Sequence, residues 1–155
     1  MANEVRTKLD AEADFTITLA SLANGSARQS TMVVNSLLRP AALIYLRIPS
    51  GAAAPTAGTT YEVYLLRGDG NGTPYRTDNA GASDAAITLE NAQLLGTMAV
   101  TATASKNFYG DFDTWPLGPL GNNWGIAVKN NSGQALNATG GNFYARYTLY
   151  LPEIQ

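Results

Sequence analysis

Trp124 to Pro152 reads WGIAVKNNSGQALNATGGNFYARYTLYLP, and in it apolar side chains return at every second residue. Trp124, Ile126 and Val128 form one such series, and Phe143, Ala145, Tyr147, Leu149 and Leu151 form another. In an extended chain that spacing puts each series on a single face, so the stretch predicts two strands separated by a polar break. A chain that ends this way is built for sheets.

The same period extends upstream. Phe108 to Phe112 and Leu94 to Ala104 read as strands, the latter with Thr97, Thr101 and Thr103 suited to a solvated face. Tyr61, Val63 and Leu65 alternate against Glu62, Tyr64 and Leu66. Ala41 to Ile48 is apolar at nearly every position, which predicts a central strand buried on both faces and fenced by Pro40 and Pro49. Gln29 to Val34 predicts a further strand after the turn Asn24-Gly25-Ser26, and Phe15, Ile17 and Leu19 alternate with Thr16 and Thr18 in another. Residues 1–13 are polar and mixed in charge, and read as an N-terminal arm or one helical turn.

Between the strands lie PSGAAAPTAGT from Pro49, the Gly- and Asp-rich stretch from Gly68 to Asn91, and TWPLGPLGNN from Thr114. The last contains two prolines and two glycines, so it connects elements and cannot pair within one. Eight or nine short strands without a helical pattern predict an all-β fold. The expected architecture is an antiparallel β-sandwich of jelly-roll type, with one domain over residues 14–155. The connections at 49–60, 68–91 and 113–123 are expected to cross between its sheets.

At 155 residues the chain has room for one core. Only 14% of its residues are charged, against about 25% in an average domain. The surface is therefore covered largely by Ser, Thr, Asn, Gly and Ala, and two readings follow. Either part of it is hidden by a partner or by further copies of the chain, or hydroxyl and amide groups suffice for solubility. A net charge of -2, with ten Lys and Arg residues scattered along the chain, argues against nucleic-acid binding. Without cysteine the chain needs no disulfide and can fold in a reducing cytosol. With no apolar leader pattern in MANEVRTKLDAEAD and no apolar run near about 20 residues, neither signal-directed secretion nor membrane insertion is expected.

Chemistry has few candidates. The absence of histidine removes the commonest general base and zinc ligand, and the absence of cysteine removes thiol catalysis. Asp111 and Asp113 flank Phe112 and would share a strand face as a carboxylate pair; Glu62 is a further acid, and the alternative for the pair is turn formation at a sheet edge. Asp69, Asn71 and Thr73 put oxygens at alternate positions as a calcium loop does, but Ala80 stands where the closing glutamate belongs. Arg67-Gly68-Asp69 spells an adhesion tripeptide at a strand end. The Asn-x-Ser/Thr strings at Asn24, Asn71, Asn130 and Asn137 read as turn chemistry. Trp115, Trp124, Tyr109, Tyr144, Tyr150 and Tyr75 offer a platform for sugar rings. Against that stands the reading in which Trp124 and Phe143 fill the interior while Tyr144 and Tyr150 cover a partly exposed outer face. No catalytic, cofactor-binding or metal-binding residue is assigned, and no cofactor is expected.

The segment NNWGIAVKNNSGQALNATGGNFYARYTLY, with the WPLGPLG loop before it, resembles the closing strands of small jelly-roll virion proteins of tailed bacteriophages, of the capsid decoration or cement type. The likeness lies in a Trp-Gly opening strand, an Asn-Asn-Ser-Gly turn and an Arg-Tyr-rich last strand, over the final third of the chain. It implies a non-enzymatic protein made in the host cytoplasm and carried on the capsid surface. The implied partner is the major capsid protein, with homo-oligomers such as trimers and neither nucleic acid nor membrane as a partner. The arm and the loops at 49–60, 68–91 and 113–123 would make the contacts. A carbohydrate- or receptor-binding module of a tail fibre or secreted enzyme is the alternative, and an enzyme working with carboxylates alone is the third reading.

Overall fold

The computed structural model describes residues 4–68 and 75–154. Among them are eleven strands: β1 (Val5–Leu9), β2 (Ala13–Asp14), β3 (Ala27–Gln29), β4 (Val33–Val34), β5 (Ala41–Pro49), β6 (Thr60–Arg67), β7 (Ala85–Ile87), β8 (Gln93–Ala99), β9 (Asn107–Asp113), β10 (Asn123–Asn130) and β11 (Tyr144–Ile154). One sheet, here called the first, has the order β1-β11-β5-β9, with β2 also on β11. The second has the order β7-β3-β10-β6-β8, with β4 also on β10. All ladders are antiparallel.

The pairings are nested. β1 meets β11, β3 meets β10, β5 meets β9 and β6 meets β8, as in one long doubled ribbon rolled until β11 meets β5 and β10 meets β6. That is the strand order of a jelly roll, with β7 added at one edge.

The interior follows from the period of two. Ala42, Ile44, Leu46 and Ile48 from the first sheet face Tyr61, Val63, Leu65, Trp124, Ile126 and Val128 from the second, all essentially inaccessible. Trp124 meets Phe15 and Tyr147 edge-on, with ring centroids 5.3 and 5.2 Å away. Phe143 packs against the core margin, and Tyr144 and Tyr150 stay half-buried on the outer side.

Several expectations are corrected. β5 is central but not buried on both faces: Leu43, Tyr45 and Arg47 alternate with the core residues and remain half-exposed. Pro49 does not stop the strand, because β5 meets β9 there at a residue that needs no N–H from it, with Asn107 opposite. Phe15, Ile17 and Leu19 keep their alternation without a ladder. Phe15 and Leu19 are buried, while the chain crosses from one sheet to the other. Residues 5–9, read as an arm or a helical turn, form a strand on the end of the first sheet.

The connections at 49–60 and 113–123 cross between sheets as expected. The long connection after Gly68 does not: its described part returns to the second sheet, adds β7 and lies over that sheet's outer face. There Leu66 and Ala127 are fully buried beneath Ala80, Ile87, Leu89 and Ala92. Arg76 holds this cover down. It is 4% exposed, its Nη2 donates to Ser30 O at 2.8 Å and Gly81 O at 2.7 Å, and burial pulls its pKa down to about 10. Gly125 makes room for it, since a Cβ there would stand 1.8 Å from Arg76 Nη1.

Candidate functional site

β11 outruns β5. Its pairing with β5 ends at Tyr150 opposite Ala41, while its pairing with β1 continues from Tyr150 opposite Leu9 to Ile154 opposite Val5. A two-stranded ribbon therefore projects past one end of the sandwich. At this ribbon end β4 ends and β5 begins, β9 ends and β10 begins, so the connections at 35–40 and 114–122 lie there too.

Apolar exposure collects at the same end. Of the nine large hydrophobic residues left exposed among the described residues, Val5 and Leu9 belong to the ribbon, Leu37, Leu38 and Trp115 to these connections, and Val34 to the end of β4 beside them. Leu37 and Leu38 are 60% and 67% exposed. Burying a leucine is worth about 1.5–3 kcal/mol, so two adjacent leucines left in water forgo a substantial stabilisation.

Their turn is held, not loose. Asn35 is buried; its Nδ2 donates to Arg39 O at 2.8 Å and Gly121 O at 2.9 Å, and its Oδ1 accepts from Arg39 N–H at 2.9 Å. One side chain thus ties the 35–40 turn to the 114–122 connection. Leu38 sits at φ 50°, the left-handed region that a bulky side chain enters only when its surroundings force it. Next to it Arg39 makes a bidentate ion pair with Asp10 at 2.7 and 2.8 Å. The Arg39 hydrogen bond holds the Asp10 carboxyl below its ordinary range against the opposing effect of burial.

The aromatic part is also pinned. Thr114 is buried, its Oγ1 accepting from Ala42 N–H at 2.8 Å. Asp113 Oδ1 accepts from the backbone N–H of Trp115 at 2.9 Å and from the Tyr150 hydroxyl at 2.7 Å. Burial and then this carboxylate push the Tyr150 phenol well above its ordinary pKa. The Trp115 and Tyr150 rings stack at 6.1 Å with their planes 21° apart. A hollow of about 260 Å³, walled by Pro40, Trp115, Gly118 and Pro119, opens beside them. From the second sheet, Arg67 Nη2 donates to Leu117 O at 2.5 Å and Gly118 O at 3.1 Å, fixing the loop beneath.

The outer face of the first sheet brings together residues that the sequence had singled out separately. Register places Asp113 beside Leu43, Asp111 beside Tyr45 and Tyr109 beside Arg47, with Tyr144 opposite Arg47 on the other side. The Arg47 and Arg146 guanidinium groups lie 5.0 and 5.4 Å from the Tyr144 ring centre. Asp111 and Asp113 do share a face, and both are exposed on it. Asp113 serves to position Trp115 and Tyr150. Glu62 lies on the other sheet, accepting from Tyr64 Oη at 2.6 Å; burial and then Glu62 push Tyr64 up to about 12. The three acids form no common site.

Among the described residues no group of three or more metal-ligating side chains assembles. Asp69, Asn71 and Thr73 lie outside the described residues; Ala80 is a buried part of the cover over the second sheet. Arg67 ends β6 and Gly68 follows it, and the remaining residue of that tripeptide is also outside. Asn24, Asn130 and Asn137 are turn formers, their Oδ1 atoms accepting from Gly133, Ser132 and Thr139 N–H. Trp124 is wholly buried, whereas Tyr75 and Tyr109 are exposed. A hollow of about 590 Å³ under the 78–91 connection is lined by Gln29, Asp78, Glu90 and small residues. Its Asp78 carboxylate is occupied by the backbone N–H groups of Asn91 and Ala92. No helix among the described residues is long and apolar enough to cross a membrane.

The residues that sequence reasoning missed are Asn35, Leu37, Leu38, Arg39 and Arg76. The pair Leu37-Leu38 directly before Arg39-Pro40 was the available signal, two apolar residues in a stretch too short and too close to a proline to be a strand. No protein-family model matches the chain, and no curated protein matches it either.

Proposed function

We propose that this chain is a non-enzymatic structural protein of a tailed-phage virion, a capsid decoration protein that seats its ribbon end on the shell of the major capsid protein. The observation that carries the reading is the collection of exposed Val, Leu and Trp side chains at one end of a sandwich, on turns fixed by Asn35, Asp113 and Arg67. A rigid apolar surface that forgoes burial within its own chain is the signature of a contact made elsewhere. The resemblance of the closing strands to virion jelly rolls supports the same role. Purified protein mixed with shells that lack it binds at regular sites and raises their resistance to heat. Absence of binding at every stage of shell expansion overturns the reading.

A second reading is favoured by one feature, the stacked Trp115 and Tyr150 rings beside an apolar hollow. Sugar rings pack on such aromatic faces, which suits a carbohydrate- or receptor-binding module of a tail fibre. Glycan-array binding that disappears in Trp115→Ala selects it, and an array without hits removes it.

A further inference from the structure

β1 is the terminal strand of the first sheet, pairs only with β11 among the described residues, and is exposed at all five positions. Asp10 N–H reaches Leu149 O at 2.8 Å, so even-numbered residues direct their backbone groups toward β11. By the alternation of an antiparallel ladder, Val5, Thr7 and Leu9 present theirs to the free edge. Such an edge is a template for another strand.

The sequence along it fits a second copy of itself. Laid antiparallel about Val5, the strand sets Val5 against Val5, and Glu4 and Arg6 against each other twice. Glu4 and Arg6 already pair within one chain at 2.7 Å, and the same two groups can pair across the edge. Opposite charges and β-branched residues in direct register stabilise a cross-strand pair. Centring on Thr7 instead would oppose Arg6 to Lys8 twice, a like-charge clash. The ribbon's length makes room for the partner: Val5 lies four residues, about 13 Å, beyond Leu9, so the two sandwiches sit at opposite ends of the joined ribbons.

We propose that two copies of this chain associate through their β1 edges, antiparallel about a two-fold axis at Val5, joining their first sheets into one. This inference stands apart from the shell-binding reading, because it needs no shell. An isologous contact of this kind closes on itself and leaves no new free edge.

The chain has no cysteine, which makes cross-linking a clean test. Opposed Cα atoms in this type of pair are about 5.5 Å apart, within disulfide range. Val5→Cys under mild oxidation therefore gives a covalent dimer in high yield. Thr7→Cys, whose two copies stand about 13 Å from in-register contact, does not. Arg6→Glu lowers the dimer fraction seen by light scattering at least tenfold, and Glu4→Arg combined with Arg6→Glu restores it. All four variants leave the unfolding curve near that of the parent, since β1 is exposed. Monomer at every concentration with no Val5→Cys cross-link overturns the proposal, and so does preferential cross-linking through Thr7→Cys.

Discussion

The two ends of the sandwich are built from opposite materials. At the ribbon end the connections carry Val34, Leu37, Leu38 and Trp115 into solvent, each on backbone held by a buried or charged side chain. At the far end the connections run through PSGAAAPTAGT, TATASK and NNSGQALNATGG, which expose Ala, Gly, Ser, Thr and Asn. Their one large apolar residue at that surface, Leu136, is 3% exposed. One end is finished by its own chain, and the other leaves large apolar side chains in water.

The largest test of that contrast is Asn35→Ala. It strands Arg39 N–H, Arg39 O and Gly121 O at once, so a loss of about 3 kcal/mol is expected in denaturant unfolding. On the shell-binding reading, affinity falls as well, because the leucine turn is no longer fixed.

Next comes Leu37→Ser combined with Trp115→Ala, expected to weaken shell binding by about 30-fold or more while unfolding shifts little. Ala53→Ser with Ala138→Ser at the far end, both on surface loops, leaves binding unchanged. Equal losses from both pairs, measured by titration of shells, would erase the distinction between the ends.

A sharper probe separates stability from contact. Leu38→Asn relieves a left-handed backbone that costs a branched residue about 1 kcal/mol, so stability rises by up to that amount while shell affinity drops. Opposite signs from one substitution mark a residue kept for its surface.

The smallest effect is in pH. The Arg39 hydrogen bond holds Asp10 below its ordinary value of 3.8, so the ion pair's contribution is fully present above that value and is lost as pH falls through the lower folded one. Acid titration of unfolding should therefore show a decline beginning near pH 4 that Asp10→Asn flattens. An unchanged profile in that variant would remove the ion pair from the ribbon end's stability.

Much of the fold was legible because strand faces obey a local rule. Trp124, Ile126 and Val128, or Tyr61, Val63 and Leu65, announce a buried face by spacing alone, and Asn130 and Asn137 announce turns by their own side-chain chemistry. The aromatic face was partly legible too, since Tyr144 and Tyr150 had to lie opposite the inward residues of β11. What failed depended on neighbours distant in the chain. Ala41 to Ile48 looked buried on both faces, yet nothing in its own residues says whether a second layer exists beyond the sheet. Nothing in the residues around Arg76 announced its burial, for which Gly125, 49 positions on, makes room.

The amino-acid order by itself determined that this is an all-strand molecule, which residues turn inward, where the chain bends and which chemistries it lacks. Those follow from side-chain period, backbone preference and the atoms present. Tertiary structure alone decided which outer face the 75–92 connection would cover, which strand edge stayed free, and that Leu37 and Leu38 would face water while Leu66, a residue of the same kind, would be wholly buried. Burial is a relation between segments, set by how the doubled ribbon rolls up, and no stretch of sequence holds it alone.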